Sequence, residues 1–275
     1  MSVHERAVVH PSVTIDPSNE VGANVLIEAG VVIGKRNVIM PGAYLGPGTT
    51  IGNDNQIHLN SVLGHVPQDR SFAGEPSFLR IGDRNIIREF VTIHRGTKPG
   101  SETVIGDDCF LMSGVHIAHN CRLGNHVVMV SNAAIAGHVE LGDRAWISNQ
   151  VGIHQFVRIG RLVMFSAMSI STQDVPPFVT CGGTRRAHAL GINVIGMRRA
   201  GVSSEARQAV REAYKVLYRR GLSLRAALDE LHKAPSAEVQ EMARFIADSK
   251  RGIIPGPSRR RLDEELDSDA PLDLE

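Results

Sequence analysis

An aliphatic residue recurs every six positions along most of this chain, and that period limits what the chain can fold into. Stepping in sixes from Val9 to Phe165, 24 of 27 slots hold Val, Ile, Leu, Met or Phe. At 42% hydrophobic content overall, chance would fill about 11. The three misses, Asp69, Glu75 and Pro99, fall in GHVPQDRSFAGEPS and HRGTKPGSE, which have loop composition. Glycine often follows the aliphatic residue (Gly22, Gly34, Gly46, Gly52, Gly106, Gly124), as expected where a backbone turns with positive φ. A helix needs a 3.6-residue spacing and a hairpin sheet alternates with turns every 8 to 12 residues; neither fits. Short parallel strands joined by tight corners do fit, coiled as a solenoid. With 27 glycines and only 12 aromatic residues, the core is expected to be stacked aliphatic side chains.

The [LIV]-G-x4 pattern resembles the hexapeptide-repeat acyltransferases. That resemblance implies a left-handed parallel β-helix with three strands per 18-residue coil, hence mainly β structure of about eight coils. At about 4.8 Å per coil the prism is about 38 Å long. The β-helix is expected over residues 1–185, with loops near 64–78 and 95–103. Cys109 and Cys121 are read as small core residues. From about residue 186 the period is lost and helical signals begin. Ser203 and Ser204 precede EARQAVREAYKVLYRR, and Ser236 opens AEVQEMARFIADSKRG, so 186–254 is expected to be a helical domain. Residues 255–275 read as a mobile charged tail.

Thirty Lys plus Arg against 29 Asp plus Glu leave no global basic field, so nucleic-acid binding is not expected. Between Arg158 and Arg220, however, eleven basic residues face three acidic ones, a surplus of +8 suited to an acidic partner. Three cysteines make no disulfide scaffold, no apolar run spans a bilayer and MSVHERAVVH is no signal peptide, so a cytoplasmic protein is expected.

Twelve histidines become informative once residues 18 apart are stacked. His116, His119, His138 and His154 then project onto positions 116–120 of one coil, so four imidazoles share one edge over three coils. Such a row suits metal ligation or acid–base chemistry. For metal, the γ-class carbonic anhydrases are similar in fold, but their close histidine pair is separated by four residues and His116 and His119 by two. For acid–base work, a neutral imidazole takes a proton from a hydroxyl attacking a thioester, and Gly137 offers a backbone N–H to the oxyanion.

The strings PQDRSFAGE, IGDRNIIREFVTIHRGT, HIAHNC, AGHV, HQF, QDVPPFV and GINVIGMRR, in order from about residue 5 to 254, resemble the UDP-N-acetylglucosamine O-acyltransferase family of lipid A biosynthesis. The resemblance implies His119 as general base, His116 as its companion, and Gly137 as the oxyanion donor. It places His138 beside the sugar, His154 and Gln155 on the nucleotide side, Asp69 on the glucosamine ring, and Asn193 and Arg199 near the uridine diphosphate. Ala167 and Met112 fall where acyl length is set, and Ala167 implies a tail shorter than the longest the family accepts. A homotrimer with sites between subunits, an acyl group delivered on the phosphopantetheine of acyl carrier protein, and no metal or other cofactor are further implications.

Four positions depart from the family pattern. Asn120 stands for Asp after the base, Ser71 for Lys two residues after Asp69, Ile195 for an acidic residue, and Ala200 for the second Arg of a pair. Asn120 can hold the ring but cannot offset an imidazolium. Arg70 is the nearest replacement for the missing Lys. The altered loop keeps a 3-amino UDP-sugar open as the alternative acceptor.

Overall fold

The computed structural model describes residues 2–257, so the part of the expected tail beyond 257 lies outside the described residues. Three sheets of 11, 9 and 8 strands form the faces of a prism, and successive strands of the chain belong to successive faces. Most strands are two residues long, the first facing outward and the second buried. Phe110 pairs with Val128, Val128 with Trp146 and Trp146 with Met164, all parallel and 18 residues apart. Leu45, Leu63, Ile93, Ile117 and Ile135 stack with no exposed surface. Cys109, Cys121 and Cys181 lie in the same core, and burial pushes the Cys109 and Cys121 thiols up to about 12.

The register widens twice. Gln56 pairs with Ile86, 30 residues on, and Thr92 with His116, 24 on, so loops of twelve and six extra residues leave the coil within GHVPQDRSFAGEPS and HRGTKPGSE. The coil also runs past the eight turns of the period. Ser2–Val3 adds a strand before Val9, and Ile170–Ser171 and Val179–Gly182 add strands after Phe165.

The corners differ from the expectation for glycine. Among described residues, positive φ falls three residues after the inward aliphatic residue, at Asn24, Arg36, Asp54, Arg84, Asn120, His138 and Phe156 among others. Gly34 and Gly106, one residue after it, have ordinary φ and serve a steric need: a Cβ would stand 2.5 Å from the Gly52 oxygen and 2.6 Å from the Gly124 oxygen of the next coil. The αL corners hold Asn and Asp, which tolerate this region, but also Phe, Arg and Leu, whose strain the repeated inter-coil hydrogen bonds must offset.

At the N-terminal end Asn19, Asn37 and Asn55 form a buried ladder. Asn37 donates from N and Nδ2 to Asn19 Oδ1 (2.7 and 2.9 Å), and Asn55 does the same to Asn37 Oδ1 (both 2.9 Å).

The helices begin at Val194 and not near 186, because His188–Ile192 first returns as an antiparallel strand on Val179–Gly182. Four helices follow: α1 (Val194–Arg199), α2 (Ser204–Tyr218), α3 (Leu224–Leu231) and α4 (Ala237–Ala247). Ser203 caps α2 through its side chain, as its sequence position suggested. Arg161 pairs with Glu241 (2.8 Å), and the Arg158 guanidinium lies 4.2 Å over the Phe245 ring, joining the solenoid to α4. Two of the eleven basic residues are therefore spent on this joint.

Replacing Asn37 by Ala removes the acceptor of the buried Asn55 backbone N–H and the Nδ2 donor to Asn19 Oδ1, while the residue-37 N–H still reaches Asn19 Oδ1 and Asn55 Nδ2 keeps the Gly82 carbonyl. The expected loss is about 2–4 kcal/mol of unfolding free energy in a urea titration, against less than about 0.5 for Asn24→Gly at an exposed corner.

Candidate active site

The corner after strand His116–Ile117 carries the chemistry. Its αL position is Asn120 (φ 61°), with His138 (φ 60°) and Phe156 (φ 66°) in the same place on the next two coils. His119, one residue before Asn120, is 6% exposed. Its Nδ1 lies 2.9 Å from Asn120 Oδ1 and 3.1 Å from Thr97 Oγ1. Its Nε2 lies 3.7 Å from Asp69 Oδ2. The Gly137 backbone presses on the same ring, since a Cβ there would stand 2.5 Å from Cε1 and 2.6 Å from Nε2. The Gly137 N–H has no acceptor among the described residues. An imidazole, a carboxylate and an amide with no acceptor among the described residues thus converge.

Asp69 is held by its own loop. The Ser71 N–H donates to its Oδ1 at 2.8 Å, which keeps the carboxyl below the usual carboxylate range and ionised. Lys98 reaches across from the second loop, its Nζ 3.5 Å from Ser71 Oγ. The cation beside position 71 is therefore Lys98, while Arg70 is exposed and makes no hydrogen bond or ion pair among the described residues.

The imidazoles form two sets of ring contacts and not the one row of four that the 18-residue spacing indicated, and His154 joins neither. His119 meets His138 edge-on at 5.3 Å, and His138 stacks on Phe156 at 4.7 Å. His116 instead meets His94 (5.4 Å), which meets His65 (6.3 Å), and its Nδ1 lies 2.8 Å from Thr92 Oγ1. His94, Thr97 and Phe156 were missed by sequence reasoning. The signal was present: with the 24-residue coil allowed for, His94 projects onto position 118. His154 is exposed, its Nδ1 3.1 Å from the carbonyl of half-buried Gln155. No group of three or more His, Cys, Asp or Glu among the described residues is arranged to hold a metal.

The remaining expected site residues lie elsewhere on the prism. Asn193 caps α1, its Oδ1 accepting from the Gly196 N–H at 2.8 Å. With Arg199, Ile195, Ala200 and Trp146 it lines a cleft of about 440 Å³ on the sheet after the next corner. Ala167 (exposed) and Met112 (half-buried) sit on the third corner, where Phe90 and Met168 are 62% and 60% exposed.

Coil geometry and convergent histidine, carboxylate and amide define a hexapeptide-repeat transferase. Residues 30–65 and 102–137 match the model for the bacterial transferase hexapeptide, and 174–254 the model for domain 2 of UDP-N-acetylglucosamine O-acyltransferase. A relative from Burkholderia orbicola named acyl-[acyl-carrier-protein]–UDP-N-acetylglucosamine O-acyltransferase is 46% identical over 92% of this chain and 98% of its own length. One of the same name from Herminiimonas arsenicoxydans is 42% identical over the same shares. A crystal structure of a UDP-N-acetylglucosamine acyltransferase from Bacteroides fragilis superposes with TM-score 0.89 at 39% identity, covering 92% of this chain and 99% of that one. The Francisella novicida enzyme gives 0.91 at 32%, covering 98% and 99%. The chain belongs to the UDP-N-acetylglucosamine O-acyltransferase family, and its β-helix is left-handed.

Burial lowers the pKa of His94, His116 and His138 below the ordinary histidine value, with a neighbouring imidazole adding to each shift. All three are thus neutral in the fold at pH 7, and protonation favours the unfolded chain. Stability is expected to be full above about pH 6.5 and to fall as pH drops through that value; unfolding midpoints measured from pH 8 to 5 check this.

Proposed function

We propose that this chain transfers an (R)-3-hydroxyacyl group from acyl carrier protein to the 3-hydroxyl of UDP-N-acetylglucosamine, in lipid A biosynthesis. The observation that carries the reading is the buried His119 imidazole, presenting Nε2 between the Asp69 carboxylate and the unpaired Gly137 amide. Asp69 and His138 hold the glucosamine ring. The 3-hydroxyl gives its proton to His119 Nε2 as its oxygen attacks the thioester carbonyl. The tetrahedral oxyanion accepts from the Gly137 N–H, and collapse expels the phosphopantetheine thiolate, which takes the proton from His119. No metal or further cofactor enters.

His116 lines the pocket beside the base, and His154 and Gln155 face the nucleotide. Asn193 and Arg199 bind the diphosphate, Arg199 through its planar fork. Their cleft stands on a different face from His119, so within one chain the two halves do not meet. A homotrimer, with the base from one subunit and the phosphate groups from its neighbour, unites them. The exposed apolar corner at Leu59, Phe90 and Met168 suits burial in such an assembly. Along it Met112 and Ala167 limit the acyl tail. The acidic carrier docks on the basic residues the α4 joint leaves available, Arg185, Arg186 and Arg198 among them. The cytoplasm, where that carrier is charged, is the proposed site of action; no helix among the described residues is long and apolar enough to cross a membrane.

Thioester consumption with each UDP-sugar tests the reading. UDP-N-acetylglucosamine is expected to support turnover with the 3-amino analogue at least about tenfold slower, and His119→Ala to lower kcat by about 10²–10⁴. Preference for the amino sugar would replace the acceptor, and an unchanged His119→Ala rate would remove the base. A second comparison uses C10 and C14 3-hydroxyacyl carriers: the shorter is expected to react faster, and equal rates would remove the role of Ala167.

A further inference from the structure

We propose that the Thr97 hydroxyl, through Asn120, is the positioning group that keeps the proton of neutral His119 on Nδ1 and leaves Nε2 as the basic atom. The inference rests on His119 as the proposed base, but it concerns how this chain sets that base with no carboxylate behind it.

Hydrogen bookkeeping carries it. The Thr97 backbone N–H lies 3.1 Å from the end of the Asn120 side chain. A backbone N–H only donates, so the Asn120 atom facing it is the carbonyl oxygen and the orientation of the amide is settled. The same oxygen receives the Thr97 hydroxyl proton at 2.6 Å. It also lies 2.9 Å from His119 Nδ1, and an oxygen acceptor there requires that Nδ1 carry the hydrogen. Having given its proton to Asn120, Thr97 Oγ1 turns a lone pair toward Nδ1 at 3.1 Å and becomes a second acceptor for the same N–H. Nε2 is then unprotonated on the side where Asp69 and Gly137 stand.

The cradle is itself fixed. The Asn120 N–H donates to Thr103 Oγ1 at 2.8 Å, and the Thr97 hydroxyl is buried with its residue 2% exposed. Thr97 sits in the six-residue insertion, so the segment that breaks the 18-residue register is the one that reaches behind the base. The ionisable groups around His119 are Asp69 from the first loop, with Lys98 beyond it, His94 from the preceding coil and His138 from the next. The support at Nδ1 is wholly neutral, and among the described residues the one carboxylate facing the ring lies in front, at Asp69.

The test is 15N spectroscopy of histidine-labelled protein, with the His119 signals identified by their absence in His119→Asn, alongside kinetics of Thr97→Val, Thr97→Ser and Asn120→Asp. Wild type is expected to show a protonated Nδ1 and an unprotonated Nε2 at pH 8. Thr97→Val is expected to give mixed tautomers and a kcat about 10- to 100-fold lower, with KM within about twofold, and Thr97→Ser to restore both. Asn120→Asp, which puts a charge behind the ring, is expected to move the acid limb of kcat/KM up by about one pH unit. A wild-type tautomer protonated on Nε2, or a folded Thr97→Val with unchanged tautomer and kcat, would overturn the proposal. Full activity in His119→Asn would instead remove the base, leaving the tautomer result standing alone.

Discussion

The regular corners from Val21 onward depend on a left-handed turn of the backbone three residues after the inward aliphatic side chain. With φ near 60° at these positions a two-residue strand ends, changes face and begins again within six residues; the first coil makes its corners at Arg6, Ser12 and Ser18 without it. Strands 18 residues apart then stack in register, each burying one aliphatic residue, and the core becomes a column of near-identical layers. A corner residue in this conformation is displayed outward, which is how Asn120, His138 and Phe156 come to stand one above another.

Chemistry enters where the repetition is interrupted. The 66–77 loop brings Asp69 to the corner, and the shorter insertion brings Thr97 and Lys98. Neither could be supplied by a regular coil, whose corners are too short to fold back over the face. His119 itself belongs to the coil; Asp69, Thr97 and Lys98 belong to the loops.

The core and its period were legible in the sequence because inward aliphatic residues recur without regard to local context, and stacking at 18 brought out the His119–His138 pair but not the separate contacts of His116. Except at Gly64 (φ 76°), positive φ was assigned to the wrong residue, since the glycine after the aliphatic residue looks like a turn former but is required by the close backbone of the next coil. His94 and Thr97 were hidden by the six extra residues before His116, which shift the register locally. The returning strand His188–Ile192 carries no hexad signal because it pairs antiparallel. The basic surplus read between 158 and 220 overstates the free charge, because Arg158 and Arg161 bind α4.

On the proposed reading, His119 at one corner and the Asn193–Arg199 cleft on another face are two half-sites, and their union across subunits is the central claim. Mixing His119→Ala chains with Arg199→Ala chains tests it most directly. Each variant alone should be nearly inactive, and reassembled mixtures should recover up to about one quarter of wild-type activity, from interfaces pairing an intact base with an intact arginine. Mixtures no more active than their parents, or an Arg199→Ala enzyme as active as wild type, would contradict it.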